Sequence, residues 1–148
     1  MKEIKVIYAD KSHKEFIIHA NNMINNINNT EQTNKLDQNI DSDYFCNEPK
    51  FKCLIAEIEN NPVGMILYSY FYWANDGQVL WISQMFIEEE YRKYGVFFKL
   101  INELKKENPD IKIVSCATGN ENKRMQRILQ YYEAQEINLK FYYKKVEL

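Results

Sequence analysis

Cysteine is scarce: three stand in 148 residues, Cys46, Cys53 and Cys116, odd in number, far apart and without a Cys-x-x-Cys pair. That spacing supports neither a disulfide framework nor a zinc site, and free, mostly buried thiols are the expectation. Long hydrophobic runs are missing too. The longest nearly apolar stretch, residues 63–73, falls short of the roughly 20 residues a membrane-spanning helix needs. Met1, Lys2, Glu3, Ile4 and Lys5 carry no apolar core of the signal-peptide kind, so a cytoplasmic protein without a membrane partner is expected. An excess of one charge is lacking as well: 19 Lys and Arg against 21 Asp and Glu leave a formal net charge of −2 at pH 7. With the signs interspersed there is no broad basic surface, and nucleic acid is not expected as a partner. His13 and His19 are six apart and match no metal-ligand spacing, so packing or surface roles are expected for them and no metal for the protein.

What is present is an ordinary globular composition, 45% hydrophobic and 27% charged, with aromatics high at 14% and eleven tyrosines. Tyrosine combines bulk with a polar tip and suits strand faces and cleft walls. The length fits a single domain spanning residues 1–148, and neither an internal repeat nor a linker interrupts it.

Residues 4–9 alternate as a first strand would. Ser12-His13-Lys14-Glu15 has the form of a capping box, with Phe16, Ala20, Met23, Ile24 and Ile27 as one apolar stripe behind it. The Asn-rich stretch that follows predicts fraying near Asn25 and a second, shorter helix over about residues 31–40. Residues 41–50 read as a polar loop. Residues 52–58 and 63–73 read as a hairpin turning at Glu59-Asn60-Asn61-Pro62, and Asp76-Gly77 turns the chain into a third antiparallel strand, residues 78–87.

The stretch that organises the rest comes next. The strand ends Met85-Phe86-Ile87, a charged loop follows, and Phe97, Leu100, Ile101 and Leu104 have the spacing of a helix opening at Gly95. Gly95 leaves the first free backbone N–H groups accessible, and Arg92, Lys93 and Lys99 surround them with positive charge, which makes an anion site. After a stop at Asn108-Pro109-Asp110, residues 111–117 form a strand that the helical crossover makes parallel to its predecessor. Asn120 or Asn122 can cap a further helix with Met125, Ile128, Leu129 and Tyr132 on one face, and residues 139–146 read as a last strand.

Arg92-Lys93-Tyr94-Gly95-Val96-Phe97 after such a strand resembles the acetyl-CoA-binding motif of the GCN5-related N-acetyltransferase (GNAT) family. Its pattern is Arg or Gln, two variable residues, Gly, one variable residue, then Gly or Ala. Phe97 stands where a small residue is usual and reads as a variant, its helical phase giving it a core role. The element order agrees with the family over nearly the whole chain. The resemblance implies a single-domain α/β acyltransferase fold in the order β1-α1-α2-β2-β3-β4-α3-β5-α4-β6, mostly antiparallel, with β4 and β5 parallel and splayed. It implies acetyl-CoA as acetyl donor, its pantetheine arm between those two strands. The cofactor-binding set is then Met85, Phe86, Ile87, Arg92, Lys93, Tyr94, Gly95, Val96, Phe97, Phe98 and Asn122. Main-chain N–H groups of residues 94–98 and the Arg92 side chain would hold the pyrophosphate, and an N–H of residues 85–87 would serve as oxyanion donor.

Acetyl transfer to an amine also asks for a base and for an acid at the departing thiolate. Many family members place a carboxylate in the fourth strand, but Leu80-Trp81-Ile82-Ser83-Gln84-Met85-Phe86 has none, and Gln84 can orient a water without taking a proton. Glu57 or a water chain are the open alternatives. The acid is commonly a Tyr late in the fourth helix in a Tyr-Glu sequence, which Tyr132-Glu133 matches, although the Gly-Phe that usually follows is absent. Tyr132 is therefore the catalytic candidate, with a core role as its rival. Tyr68, Tyr70 and Tyr72 share one strand face and offer either a wall for an amine or sheet packing. The expected function is acetyl-CoA-dependent N-acetyl transfer to a primary amine of a small molecule or protein, by direct attack on the thioester. The alternative is a non-catalytic domain of the same fold that binds CoA or a protein partner, and a homodimer stays open.

Overall fold

A computed structural model of the chain describes residues 2–27, 35–137 and 144. Its centre is a five-stranded sheet in the order β1-β2-β3-β4-β5, with β1 (Ile4–Tyr8), β2 (Lys52–Ile58), β3 (Asn61–Trp73) and β4 (Gly77–Ile87) consecutively antiparallel. β5 (Ile113–Cys116) runs parallel to β4. The helices are α1 (Lys14–Ile27), α2 (Lys35–Asp43), α3 (Val96–Glu107) and α4 (Lys123–Tyr131). The order is the one the sequence predicts, and of the last expected strand, residues 139–146, all but residue 144 lie outside the described residues.

Strand alternation builds two cores, one on each face of the sheet. On one face Leu54, Ala56, Ile58, Ile66, Tyr68 and Leu80 pack under Val96, Leu100 and Leu104 of α3. On the other, Cys53, Ile55, Met65 and Phe86 pack under Ile17 and Ala20 of α1 and Ile40 of α2. Gly64 sets the height of α3. A Cβ there would come within 3.0 Å of Val96 Cγ1 and 3.2 Å of the Phe86 carbonyl oxygen, so only glycine lets α3 approach this closely.

Several local expectations change. The capping residue of the first helical segment is Asp10, not Ser12. Its carboxylate accepts from the Ser12 N–H at 2.8 Å, while its own N–H donates to His13 Nδ1 at 3.0 Å across a 3₁₀ turn that precedes α1. A carboxylate at the end of β1 reaches the free amides before Ser12 can. α1 holds past Asn25 to Ile27 because its packing on β4 outweighs the poor propensity of asparagine. Its buried face is Ile17 and Ala20, whereas Met23 and Ile27 are exposed. Residues 41–43 belong to α2, not to the following loop, and residues 31–34 of the expected second helix lie outside the described residues. β5 is shorter than residues 111–117.

Candidate functional site

β4 and β5 pair only from Val79↔Ile113 to Ile82↔Cys116 and then part. Where they part, β4 carries a bulge. Leu67 pairs with Gln84 and Tyr68 with Ile82, so Ser83 is an extra residue without a partner on β3. Beyond it β4 is paired on its β3 side alone among the described residues, and alternate N–H and C=O groups of residues 83–87 face the gap. The gap opens into a cleft of about 340 Å³, walled by β4, β5, the inner face of α3 and α4, with Ile24 of α1 above it. A smaller cavity of about 100 Å³ continues it toward Arg92, Asn122 and Arg124.

The loop beyond β4 is built to present main-chain donors. A 3₁₀ turn at Glu89–Tyr91 drops the chain below the strand, and Arg92 Nε donates to the Ile87 carbonyl at 3.0 Å, which ties the guanidinium to the strand end. Gly95 adopts φ +81°, ψ +13°, the left-handed region that favours glycine, and a Cβ built there meets nothing within 4 Å. The helical ladder then starts with Lys99 N–H donating to the Gly95 carbonyl at 3.2 Å, which leaves the first-turn amides of Val96, Phe97 and Phe98 free of ladder partners. Tyr94 falls out of the expected amide set, because its N–H already donates to the Tyr91 carbonyl at 3.2 Å.

Arg124, the second residue of α4, faces the same end of the cleft. Partial burial and then the nearby Arg92 guanidinium hold its pKa below the ordinary arginine range. Two converging guanidiniums beside free helix amides favour a bound anion, whose charge would relieve their repulsion. Along the cleft, three buried side-chain oxygens, Gln84 Oε1, Ser115 Oγ and Thr118 Oγ1, have no hydrogen-bond partner among the described residues. A ligand carrying phosphates and an amide-bearing arm meets the demands of the guanidiniums, Ser115 and Thr118.

Tyr132 caps the end of α4 and lines the cleft, its ring 5.6 Å from that of Phe97. Burial raises its pKa, so it stays protonated through neutral pH. Tyr131 is 73% exposed against 40% for Tyr132 and lines neither cavity. Phe97 is therefore cleft wall more than core, and Val96 takes the core position beside it.

Residues 21–132, most of the chain, match the family model of the acetyltransferase (GNAT) family. The chain belongs to the GNAT acetyltransferases. Among solved structures, a possible acetyltransferase from Clostridium difficile 630 is similar with a TM-score of 0.79 at 20% identity, covering 98% of this chain and 99% of that one. An aminoglycoside N-acetyltransferase in complex with CoA is similar at TM-score 0.75 and 16% identity, covering 98% and 96%. A predicted acetyltransferase with acetyl-CoA from Clostridium acetobutylicum is similar at TM-score 0.75 and 14% identity, covering 96% of each chain. No curated protein matches by sequence.

Within this GNAT chain, Met85, Phe86, Ile87, Arg92, Phe97 and Asn122 line the smaller cavity, Asn122 also capping α4 by accepting from the Met125 N–H at 3.2 Å. The Lys93, Tyr94 and Phe98 side chains point to solvent. Glu57 is not brought to the cleft. It lies on β2, two strands from β4, its side chain 13% exposed and 3.5 Å from buried His13 Nε2. Tyr68, Tyr70 and Tyr72 share a face but line neither cavity: Tyr68 is core, its hydroxyl 3.4 Å from that of Tyr8, and Tyr70 donates to Asn108 Oδ1. Sheet packing explains Tyr68 and Tyr70, whereas Tyr72 is 77% exposed. Sequence reasoning missed Arg124 and the Ser83 bulge. Arg124 stands two residues after the capping Asn122, on the turn facing the Gly95 loop, and that position was its one readable signal.

Proposed function

We propose that the chain is an acetyl-CoA-dependent N-acetyltransferase that moves an acetyl group to a primary amine by direct attack on the thioester. The observation that carries this reading is the continuity of the cleft, which runs from the Ser83 bulge between the parted strands to the Gly95 loop. The amides of Val96, Phe97 and Phe98 with Arg92 and Arg124 would take the phosphates. Ser115, Thr118 and the free edge of β4 would take the amide-bearing arm, and an edge N–H near residues 83–87 would meet the carbonyl oxygen. Bound there, acetyl-CoA supplies an activated carbonyl. The amine lone pair forms the C–N bond, the C–S bond breaks with its pair on sulfur, nitrogen loses a proton to solvent, and sulfur gains one from the Tyr132 hydroxyl or water.

A second reading, a domain that binds CoA without catalysis, is favoured by one observation: among the described residues no Asp or Glu side chain lines either cavity. Thiol release from acetyl-CoA in the presence of a panel of primary amines separates the two. Amine-dependent, saturable release supports the transferase; binding of acetyl-CoA without release for any amine leaves the binding domain.

A further inference from the structure

Gln84 occupies the strand position next to the bulge, on the face of β4 turned to α1. Its Nε2 donates to Asn21 Oδ1 of α1, which fixes the amide and leaves Oε1 buried at the wall of the cleft, without a partner among the described residues. A buried carbonyl oxygen left unpaired is costly, and a ligand N–H is what it lacks. Among the described residues, the charged side chains on the cavity walls are Lys105, Arg92 and Arg124, all cationic. The two other ionisable groups there, Cys116 and Tyr132, are both pushed toward their neutral forms by burial. Farther along the same face of β4, His19 Nε2 meets Glu88 Oε1 at 2.7 Å, and neither lines a cavity.

We propose that Gln84 Oε1 marks the seat of the acceptor nitrogen and that the acceptor is a weakly basic amine, such as an α-amino group, which enters already neutral and donates one N–H to this oxygen. The inference rests on the transferase reading and names its substrate class. A cleft whose described charged side chains are all cationic penalises an ammonium, and an amide oxygen can orient an amine lone pair without taking its proton. The basicity of the acceptor then decides how often it can be used. At pH 7.5 an α-amine of pKa about 7.7–8.0 is neutral about a third of the time, a lysine ε-amine of about 10.4 roughly a thousandth.

The test compares a lysine-free tripeptide with a free amino terminus against Nα-acetyl-lysine amide, both with acetyl-CoA, from pH 6.5 to 10. The tripeptide is expected to have a kcat/KM at least tenfold higher at pH 7.5, with the gap closing as pH rises. Gln84→Met should lower kcat/KM for the amine about 10- to 100-fold with acetyl-CoA affinity unchanged. Gln84→Glu should restore turnover and move the acidic limb down by a pH unit or more, which a merely structural role would not do. Asn21→Ser, which releases the amide but spares the strand, should give an intermediate loss. A preference for the ε-amine at pH 7.5, or unchanged amine kinetics in both Gln84→Met and Asn21→Ser, would overturn the inference alone. So would loss of the acidic limb in Glu88→Gln, which would make the His19–Glu88 pair the base. Acetyl-CoA binding with no acetylation of either amine would instead overturn the transferase reading and this inference with it.

Discussion

Tyr131 and Tyr132 are neighbours in sequence, yet only Tyr132 reaches the cleft, because α4 ends at Tyr131 and the following residue turns inward against Phe97. If the Tyr132 hydroxyl protonates the departing thiolate, Tyr132→Phe should lower kcat about 10²- to 10⁴-fold with acetyl-CoA affinity nearly unchanged, and Tyr131→Phe should be close to neutral. Steady-state thiol release at saturating acetyl-CoA decides it; a damaging Tyr131→Phe would move the acid to the other ring. At this scale the sequence made legible what depends on one residue type at one place. Gly95 could be read because a helix opening after a charged loop calls for an unhindered turn, and Asn122 because it begins an apolar helical period. Arg124 left only its place two residues after Asn122 as a signal, since its meaning comes from Arg92, beside which the fold brings it. The sequence offers Gln84 as a residue that can orient a water in place of a carboxylate, but not the contact with Asn21 that orients its oxygen, because that contact joins two elements.

Elements were legible where periodicity was strong and their limits were not. β2 has the limits the alternation predicts, residues 52–58. The start of the first helical segment moved because Asp10 and Ser12 are both good caps, and only the end of β1 decides which one meets the free amides. The Ser83 bulge left no trace in a strand whose composition is apolar and polar by turns. Gly64 is the element-scale counterpart of Gly95, a glycine required by approach and not by backbone conformation. Gly64→Ala should push α3 away from β3 and destabilise the protein by about 1–3 kcal/mol. Because α3 carries the amides of the Gly95 loop, acetyl-CoA affinity should fall with it. Urea unfolding and ligand titration of the variant read both effects. Native stability and unchanged affinity in Gly64→Ala would mean that Val96 and Leu100 yield without moving the helix.

For the molecule as a whole, two buried groups, with other tyrosines and Cys116 shifted the same way, lower stability at alkaline pH. Burial pushes the Cys53 thiol from its ordinary 9.0 up to about 12, and burial also raises the Tyr44 hydroxyl, which donates to the Ala9 carbonyl at 2.8 Å. Both stay protonated in the folded chain and ionise at ordinary pH values in the unfolded one. The unfolded state therefore binds fewer protons above about pH 9, and the stability these groups contribute, fully present below that pH, declines as pH rises toward 12. Unfolding free energies from urea titrations should fall between pH 8 and 11 by an amount on the order of 1 kcal/mol per pH unit, with a shallower slope in Cys53→Ala. A flat profile across that interval would contradict the burial of both groups.

The central claim, that the continuous cleft from the parted strands to the Gly95 loop holds acetyl-CoA, meets its most direct test in thermal unfolding with and without acetyl-CoA, for the native chain and for Gly95→Ala. At a hundred times its dissociation constant the ligand should add about 2.7 kcal/mol, a rise of roughly 5–10 °C for a domain of this size. Gly95→Ala puts a methyl into the open space beside the first-turn amides at φ +81°, so it should unfold slightly earlier, by about 1–2 kcal/mol, and lose most of the ligand-induced rise. No rise in the native chain at millimolar acetyl-CoA, or an equal rise in both proteins, would contradict the account.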